Sequence, residues 1–325
     1  MIRAVAGRTL LVIGGTGFFG KSILDAFRRG LLARWDITRI VVIARDTGVL
    51  PRDFPELIGP AVTLVDADAG TARDLPAADL VIHAASSTDA RRYAADPAAE
   101  RANIIAAIDT YCAVAAVAHR SSRIVYCSSG AVYGQQPADV VGLAEDAPLT
   151  AASDLVDYKR DYAEAKRLAE ARIAALGTTG VAVAVARCFA FVGAYLPRDQ
   201  HFAIGNFLGD GLAGRPVTVT ARHAVIRSYL HADDLVRALL TLADAASPAC
   251  PVVNVGSDEA ALVGDVARRV AAACGVAADV PAITEAAVDR YVPDLARARA
   301  LGLAVTLGLD AAIADVVARL RTGAA

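Results

Sequence analysis

The sequence predicts an α/β fold in which a doubly wound parallel sheet is joined to a smaller, interleaved C-terminal lobe. Two patterns carry this prediction. The first half alternates short β-rich runs with longer helical stretches, which is typical of right-handed βαβ units. The β-rich runs are continuously apolar rather than alternating, as expected of strands that helices cover on both faces.

The individual elements follow from the same patterns. Strands are predicted at Thr9–Ile13, Arg39–Ala44, Val62–Val65, Leu80–His83, Arg123–Cys127 and Val181–Cys188. Helices are predicted at Phe18–Arg29, Asp157–Leu176, Ala232–Ala246, Leu262–Cys274 and Ala311–Leu320. Gly177 is interpreted as the C-cap of the second of these helices, because glycine readily adopts the left-handed conformation that ends many helices.

The length of 325 residues suggests about two domains and a large buried core. Beyond Phe189, glycine, proline and polar residues break the pattern into shorter pieces. We therefore expect a first domain at residues 1–188 and a mainly separate lobe at residues 189–325. Segments of this lobe are expected to return to the sheet.

Composition and charge exclude several classes of protein. Apolar residues make up 55% and charged residues 21%, which is typical of a globular chain. Lys and Arg number 33 against 35 Asp and Glu, so no nucleic-acid-binding or membrane surface is expected. The five cysteines form no Cys-x-x-Cys pair. This spacing predicts neither a zinc ribbon nor a disulfide scaffold, and we predict no metal site.

The same cysteine usage favours a reducing cytoplasm. Met1–Gly7 is too short for a secretory signal. The longest apolar stretch, Val181–Leu196, contains Arg187 and falls short of the ~20 apolar residues of a membrane helix.

A glycine-rich turn lies between the first predicted strand and the first predicted helix. Its spacing is Gly14-x-x-Gly17-x-x-Gly20. Gly14 allows a tight turn, Gly17 lets a pyrophosphate approach the backbone, and Gly20 lets the helix pack on the sheet. The turn therefore predicts a Rossmann-like dinucleotide site, with a purely structural turn as the alternative. Further cofactor contacts are expected in the same turn from Thr16, Phe18 and Phe19.

The end of the second strand bears on the choice of cofactor. An acid there would bind the ribose hydroxyls of NAD, but Ala44 and Arg45 follow the apolar run. A guanidinium suits the 2′-phosphate of NADP. NADP is therefore favoured over NAD, and the alternative is that Asp46 binds the ribose while Arg45 is solvated.

A tyrosine and a lysine lie one helical turn apart in the helix predicted from Asp157. Only three lysines occur in the chain, and Lys166 follows Tyr162 by four residues. Chance alone predicts about 0.08 such pairs, so the match is informative. The ammonium is expected to lower the pKa of the tyrosine, which could then exchange a proton with a sugar or alcohol oxygen. An ordinary surface pair is the alternative.

The fifth predicted strand, which ends at Cys127, runs directly into Ser128 and Ser129. A hydroxyl at the carboxyl end of a parallel strand points into the crevice where ligands bind. Ser129 is expected to hydrogen-bond the reacting oxygen beside Tyr162. Alone, two adjacent serines are more often turn formers.

Together these segments resemble the extended short-chain dehydrogenase/reductase superfamily, in its nucleotide-sugar epimerase/dehydratase branch. The glycine turn, the Ser-Ser-Gly-Ala-Val-Tyr-Gly segment and the Tyr-x-x-x-Lys pair occur in the order of that family. The resemblance covers essentially the whole chain. It continues through Arg187–Gly193, Arg227–Asp234, Asn254–Gly256 and Tyr291–Asp294.

The resemblance implies roles for individual residues. Tyr162 is the acid/base, Lys166 orients the nicotinamide ribose, and Ser129 polarises the substrate oxygen. Arg227 pairs with the substrate diphosphate. A homodimer acting on a nucleotide-linked sugar is expected. The cofactor contacts that it adds to the glycine turn are Asp68, His83, Ala84, Ala85 and Ser128.

Two departures from the family bear on the reaction. Members that eliminate water between sugar carbons 4 and 6 carry an acidic pair directly after the hydroxyl residue, where this chain has Gly130 and Ala131. Many members have asparagine at the position of Ala190, so one substrate contact is either lost or supplied by other residues, for which His201 and Asn206 are the candidates. For His201 the favoured alternative is a solvated loop histidine.

The leading hypothesis is therefore an NAD(P)-dependent nucleotide-sugar oxidoreductase acting at a sugar carbinol or ketone at C4. A reductase and an epimerase would use the same residues. The alternatives are a 4,6-dehydratase, which Gly130 and Ala131 disfavour, and a non-catalytic cofactor-binding regulator on the same fold.

Overall fold

The computed structural model describes residues 7–86, 91, 95–155 and 157–323. The strands are β1 (Arg8–Ile13), β2 (Ile37–Ala44), β3 (Val62–Asp66), β4 (Leu80–His83), β5 (Arg123–Ser129), β6 (Ala182–Cys188), β7 (Phe191–Val192), β8 (Val217–Thr218), β9 (Ala224–Arg227), β10 (Leu230–His231), β11 (Val252–Val255), β12 (Ala261–Leu262), β13 (Ala278–Asp279) and β14 (Val288–Tyr291). The α-helices are α1 (Phe18–Arg28), α2 (Val49–Asp53), α3 (Pro97–Ala115), α4 (Asp157–Gly177), α5 (Ala203–Leu212), α6 (Ala232–Ala245), α7 (Val263–Cys274), α8 (Ala296–Ala300) and α9 (Leu309–Thr322).

Seven parallel strands form the central sheet in the order β11-β6-β5-β4-β1-β2-β3. This architecture confirms the predicted doubly wound α/β fold. The chain winds outward from β1 through β2 to β3 and then returns to β4 on the other side of β1. The strand order therefore reverses between β1 and β4, and a crevice for ligands opens at their carboxyl ends.

Two apolar layers cover the two faces of the sheet. Residues of α3 and α4, including Ile108 and Ile173, form one core with the sheet. Residues of α1 and α6, including Leu24 and Leu239, form the other. Because both faces are buried, the central strands are apolar at successive positions, which explains the continuous apolar runs in the sequence.

The second half of the chain contributes both to the sheet and to a smaller lobe. Strand β11 pairs with β6 and completes the sheet. A separate three-stranded sheet, β12-β9-β14, lies in the lobe, and α5, α7 and α9 share a third apolar core there. Among the described residues, no helix is long and apolar enough to cross a membrane. The domain boundary after residue 188 stays a prediction.

Some local expectations differ from the structure. Helices α3 and α5 were not among the predicted elements. Gly177 is the last residue of α4 rather than a left-handed C-cap, and the positive φ of 94° occurs at Gly180. A Cβ at Gly177 would lie 2.7 Å from the Pro248 carbonyl oxygen, so a close backbone contact explains this glycine.

Candidate active site

The glycine turn lies where the strand order reverses. Gly14 has a φ of 86°, and its N–H donates to the Ile43 carbonyl oxygen at 2.8 Å. A Cβ at Gly14 would lie 2.6 Å from the Ala85 backbone nitrogen. A Cβ at Gly20 would lie 2.1 Å from the Gly15 carbonyl oxygen. Both positions therefore require glycine, and the backbone of Ala84 and Ala85 adjoins the turn.

The start of α1 is open to a ligand. Among the described residues, a Cβ at Gly17 would meet only the Gly14 carbonyl oxygen, at 3.5 Å, so they leave the space over this residue accessible. No side chain caps α1 at Gly17, and its first turn carries no acid. Unsatisfied N–H groups at a helix N-terminus bind phosphate, so the turn fits a dinucleotide pyrophosphate.

The neighbouring side chains of the turn have different roles. The rings of Phe18 and Phe19 pack with Phe191, with the Phe19 and Phe191 centroids 5.3 Å apart. Their side chains therefore stabilise the fold, and the cofactor contacts expected at Phe18 and Phe19 stay a prediction. Thr16 is half-buried in the turn.

The end of β2 presents exposed charges. Arg45 and Asp46 are both exposed. Thr47 donates to the Asp66 carboxylate through its backbone N–H at 2.8 Å and its hydroxyl at 2.7 Å, which ties the segment after β2 to the end of β3. Asp68 accepts a hydrogen bond from the Gly70 N–H at 2.7 Å, so its carboxylate also organises a local turn.

The His83 ring is packed inside the protein. Its side chain is 1% exposed, and its ring lies beside those of Tyr111 and Tyr126. Neither ring nitrogen has a hydrogen-bond partner among the described residues. Burial lowers the pKa of His83 to about 4, and the Lys166 charge contributes. The imidazole is therefore enclosed in the core, and the cofactor contact expected at His83 stays a prediction.

Ser129 and Tyr162 meet at the carboxyl end of β5. The Ser129 hydroxyl oxygen accepts a hydrogen bond from the Ala131 N–H at 3.1 Å. Burial raises the pKa of Tyr162 to about 12, while hydrogen bonding with Ser129 acts in the opposite direction. A phenol with this pKa keeps its proton at neutral pH.

Lys166 is 2% exposed, and its ammonium donates to the Cys127 carbonyl oxygen at 2.9 Å. Burial lowers the pKa of Lys166 to about 8. The ammonium lies 4.9 Å from the Tyr126 ring centroid and 5.8 Å from that of Tyr162. The predicted lowering of the Tyr162 pKa is therefore wrong for this arrangement, because desolvation is the largest effect on the phenol.

A buried charge network supports the end of β5. The Ser128 hydroxyl donates to Glu170 at 2.5 Å, and Arg187 forms an ion pair with the same carboxylate at 2.8 Å. The Ser128 hydroxyl proton is thus engaged by Glu170, and the cofactor contact expected at Ser128 stays a prediction. Glu170 was missed in the sequence, although it follows Lys166 by four residues on α4.

The residues expected to bind substrate differ in their exposure and in the partners that they already have. Arg227 forms an ion pair with Asp289 at 2.7 Å. The Asn206 amide donates to the Gln200 carbonyl oxygen at 2.7 Å, while its own carbonyl oxygen is buried with no partner among the described residues. His201 is exposed, with its ring 4.2 Å from that of Phe202.

A cavity of about 220 Å³ opens in the lobe near Arg227. Strand β9 carries Val225 in its wall, and Arg227 follows two residues later. His223, Asp265 and Arg268 provide its polar lining. The apolar side chains of its wall belong to Val219, Val225, Leu262, Val263, Val280 and Ile283.

One aromatic residue at this site was not predicted. Strand β14 pairs with β9 and aligns Tyr291 with Arg227. A Cβ at Gly130 would lie 2.6 Å from the Tyr291 hydroxyl oxygen. The sequence carried a weak signal in Tyr291–Asp294, which belonged to the resemblance but suggested no role in the site.

Solved structures share this fold. UDP-glucose 4-epimerase from Thermotoga maritima, determined with UDP-glucose, superposes with a TM-score of 0.80 at 17% identity, covering 98% of this chain and 100% of that one. The dTDP-glucose 4,6-dehydratase DesIV from Streptomyces venezuelae, determined with NAD and TYD bound, gives 0.79 at 21% identity, with 97% of each chain covered.

Curated relatives match part of the chain. UDP-glucuronic acid decarboxylase 1 from Xenopus tropicalis is 30% identical over 145 residues, which cover 43% of this chain and 34% of the relative. The decarboxylase from Danio rerio is 29% identical over the same length. The matched stretch thus spans about a third of these relatives.

A family comparison covers most of the chain. The NAD dependent epimerase/dehydratase family matches residues 10–256, from the first strand of the sheet to its last. The match confirms the resemblance to the nucleotide-sugar branch of the extended short-chain dehydrogenase/reductases, and the chain belongs to the NAD-dependent epimerase/dehydratase family.

Proposed function

We propose that the protein is an NAD(P)-dependent nucleotide-sugar oxidoreductase that acts at a sugar carbinol or ketone at C4, as a 4-ketoreductase or a 4-epimerase. The observation that carries this proposal is the convergence of Ser129, Tyr162 and Lys166 at the carboxyl end of β5. This end of the sheet also carries the open glycine turn at Gly14.

The proton chemistry follows from the state of Tyr162. Because burial raises its pKa to about 12, the phenol is protonated at neutral pH and can donate to a carbonyl oxygen as that oxygen gains charge. In the reverse direction the phenolate that this donation leaves takes the proton of the alcohol. The Ser129 hydroxyl stabilises charge on either oxygen by hydrogen bonding. A nicotinamide cofactor, when bound, supplies hydride exchange at the sugar carbon.

The cofactor would be held by the chain's own backbone and by few side chains. The N-terminus of α1 and the accessible face of Gly17 suit the pyrophosphate. The Lys166 ammonium lies beside Tyr162 and is a donor suited to ribose hydroxyls. Exposed Arg45 suits the 2′-phosphate of NADP, and exposed Asp46 suits the ribose of NAD; we favour NADP because Ala44 leaves β2 without a terminal acid.

The lobe suits the nucleotide part of a substrate. The cavity of about 220 Å³ has apolar walls and a few polar groups, which is suitable for a nucleobase. Arg227 lies farther along β9 from the cavity wall, where it can bind a diphosphate. The partner of Arg227 in β14 is Tyr291, which contacts the site at Gly130. A nucleotide-linked sugar laid along this strand pair would bring its sugar to Tyr162.

The residues that follow Ser129 do not favour elimination of water from the sugar. A 4,6-dehydratase needs a proton-transfer group next to Ser129, but Gly130 and Ala131 carry none. A side chain at Gly130 would also meet the Tyr291 hydroxyl and the Phe189 ring, with a Cβ 2.6 and 2.8 Å from their nearest atoms. We therefore favour a reductase or an epimerase.

The decisive experiment identifies the cofactor and the turnover. The cofactor released from the purified protein is determined together with its redox state, and the protein is then assayed on UDP- and dTDP-linked hexoses and 4-ketohexoses. A reductase converts the ketone with NADPH consumption, whereas an epimerase interconverts the C4 alcohols without net consumption. A protein that binds cofactor but converts none of these substrates would instead be a cofactor-binding regulator, and the proposal would be wrong.

A further inference from the structure

We propose that Arg167 and Glu170 are positioning residues of the reaction centre: from α4 they hold the chain on both sides of Ser129, so that its hydroxyl is presented to the reacting oxygen. The proposal rests on the proposed function and adds two residues that act through Ser129. Its basis is a set of hydrogen bonds from one helix to the residues before and after this serine.

Glu170 holds the chain just before Ser129. The Ser128 hydroxyl donates to the Glu170 carboxylate at 2.5 Å, and Ser128 is 4% exposed. Arg187 on β6 fixes the same carboxylate, with Nη2 2.8 Å and Nε 3.1 Å from its oxygens. Hydrogen bonds to a charged group are short and strong, so the end of β5 cannot shift along α4 without breaking them.

Arg167 holds the chain just after β5, where a short 3₁₀ turn lies at Gly130–Tyr133. Its Nε donates to the Val132 carbonyl oxygen at 2.8 Å, and its Nη2 donates to the Thr150 carbonyl oxygen at 2.8 Å. The Thr150 N–H in turn donates to the Tyr133 carbonyl oxygen at 3.0 Å. One planar guanidinium therefore joins the turn to α4 and to the segment that precedes this helix.

The turn fixes the oxygen of the serine. The Ser129 hydroxyl oxygen accepts a hydrogen bond from the Ala131 N–H at 3.1 Å, and Ala131 lies within the turn. Gly130 and Ala131 carry no side-chain atoms beyond Cβ, so their side chains do little to anchor the turn. The orientation of the serine oxygen therefore depends on the far end of the turn, which Arg167 holds. The serine proton can then be directed to an oxygen beside Tyr162.

The same helix carries the other two reacting groups. Tyr162 and Lys166 both lie on α4, and the Lys166 ammonium donates to the Cys127 carbonyl oxygen of β5 at 2.9 Å. A single helix therefore sets where the serine lies relative to the tyrosine and the lysine. Arg172 on the same helix is different, because its side chain is 50% exposed and pairs with Asp109 on α3.

Kinetics in two backgrounds test this role. Arg167→Met removes the guanidinium donors, and Ser128→Ala removes the hydroxyl but leaves the Glu170–Arg187 ion pair. We expect each to lower kcat by about three- to tenfold, the effect of one hydrogen bond, with cofactor affinity unchanged. In the Ser129→Ala background, each should change kcat by less than about twofold, because the group that they position is absent. A role in folding alone would lower kcat equally in both backgrounds.

Two matched controls remove similar groups elsewhere. Arg172→Met makes the same substitution on the same helix. Thr306→Val removes a hydroxyl that donates at 2.7 Å to the buried carboxylate of Asp234, which is itself paired with Arg237. This carboxylate lies on α6, which covers the opposite face of the sheet. Both controls should leave kcat unchanged, and melting temperatures of all variants report any loss of folding.

The possible results separate this inference from the proposed function. Equal effects in the wild-type and Ser129→Ala backgrounds, or an unchanged kcat in Arg167→Met or Ser128→Ala, would overturn the positioning role while the oxidoreductase activity stands. A weakened cofactor affinity in Ser128→Ala would also overturn it, because the hydroxyl would then act on the cofactor. A wild type without turnover on any nucleotide sugar would overturn the proposed function instead.

Hydrogen exchange tests the positioning without turnover. The Ala131 amide is protected by its bond to the Ser129 oxygen and exchanges when the turn opens. Measured by NMR, its exchange should be at least about threefold faster in Arg167→Met and in Ser128→Ala than in the wild type, and unchanged in Arg172→Met. Equal exchange in all four proteins would contradict the inference.

Discussion

The Arg227 guanidinium forms an ion pair with the Asp289 carboxylate across two neighbouring parallel strands, with Nη2 and Oδ2 2.7 Å apart. A second nitrogen of the guanidinium donates to the Asp289 carbonyl oxygen at 2.9 Å. The residue that would bind a substrate diphosphate therefore already has an anionic partner. A phosphate group must compete with this carboxylate for the same cation.

This pairing predicts opposite effects of two substitutions on substrate KM. Arg227→Ala should raise the KM for a nucleotide-linked sugar by ten- to a hundredfold, because a hydrogen bond to a charged group contributes about 1.5–3 kcal/mol. Asp289→Asn should lower the same KM several-fold, because it removes the competing charge. Steady-state kinetics at fixed, saturating cofactor checks both. A rise in KM in both variants would show that the pair supports the strands and does not bind the diphosphate.

Tyr162→Phe should bind cofactor normally and lose turnover. The substitution removes the hydroxyl group, and with it the proton that the phenol can exchange, while keeping the ring. We expect kcat to fall by at least about a hundredfold, the typical contribution of general acid/base catalysis. Cofactor affinity is measured by fluorescence titration and kcat by product analysis. Tyr195→Phe is the control, because the Tyr195 ring packs with Phe54 and its hydroxyl lies near Glu56 rather than near Ser129 or Lys166. A near wild-type kcat would remove Tyr162 from the mechanism.

Arg45→Ala should weaken NADP(H) binding and leave NAD(H) binding nearly unchanged. If the exposed guanidinium binds the 2′-phosphate, its loss costs about 1.5–3 kcal/mol. High salt should narrow the difference between the cofactors in the wild type, because an exposed ion pair is screened. Titration of both cofactors against both proteins measures this. A wild type that prefers NAD, or retains it through purification, would contradict the NADP assignment and favour the epimerase.

His83→Phe should make the stability of the protein less sensitive to acid. Burial lowers the pKa of the folded histidine to about 4 from 6.5, so the unfolded chain binds the extra proton first as the pH falls. The wild type therefore loses stability between pH 6.5 and 4, on the order of 3 kcal/mol for this group alone. Phenylalanine does not titrate and suits the aromatic surroundings of Tyr111 and Tyr126.

Urea unfolding of the two proteins at pH 7 and pH 4.5 measures this effect. The difference in unfolding free energy between variant and wild type should shift in favour of the variant at the lower pH. Equal differences at both values would mean that the folded His83 titrates normally. Carboxylates titrate in the same pH range, but they contribute equally to the unfolding free energies of both proteins. Their contribution therefore cancels in the comparison.

The limits of prediction from sequence are visible in particular elements. The central strands were predicted closely because burial on both faces makes their apolar runs continuous. Helix α3 was missed, because its many alanines leave no clear apolar stripe even though Ile104 and Ile108 are buried against the sheet. Gly177 was misinterpreted because a glycine can serve a left-handed turn or a close contact, and the sequence pattern is the same.

The sequence by itself determined the fold class, the glycine turn, the position of Ser129 at the end of β5 and the spacing of Tyr162 and Lys166 within α4. These features depend on local spacing and on apolar continuity, which are properties of neighbouring residues. Tertiary structure alone decided the direction of the pKa shifts, because desolvation depends on what packs around each group. It also decided which distant residues meet. Arg227 finds Asp289, and Tyr291 reaches Gly130, only because the strands of the lobe pair beside the carboxyl end of the sheet.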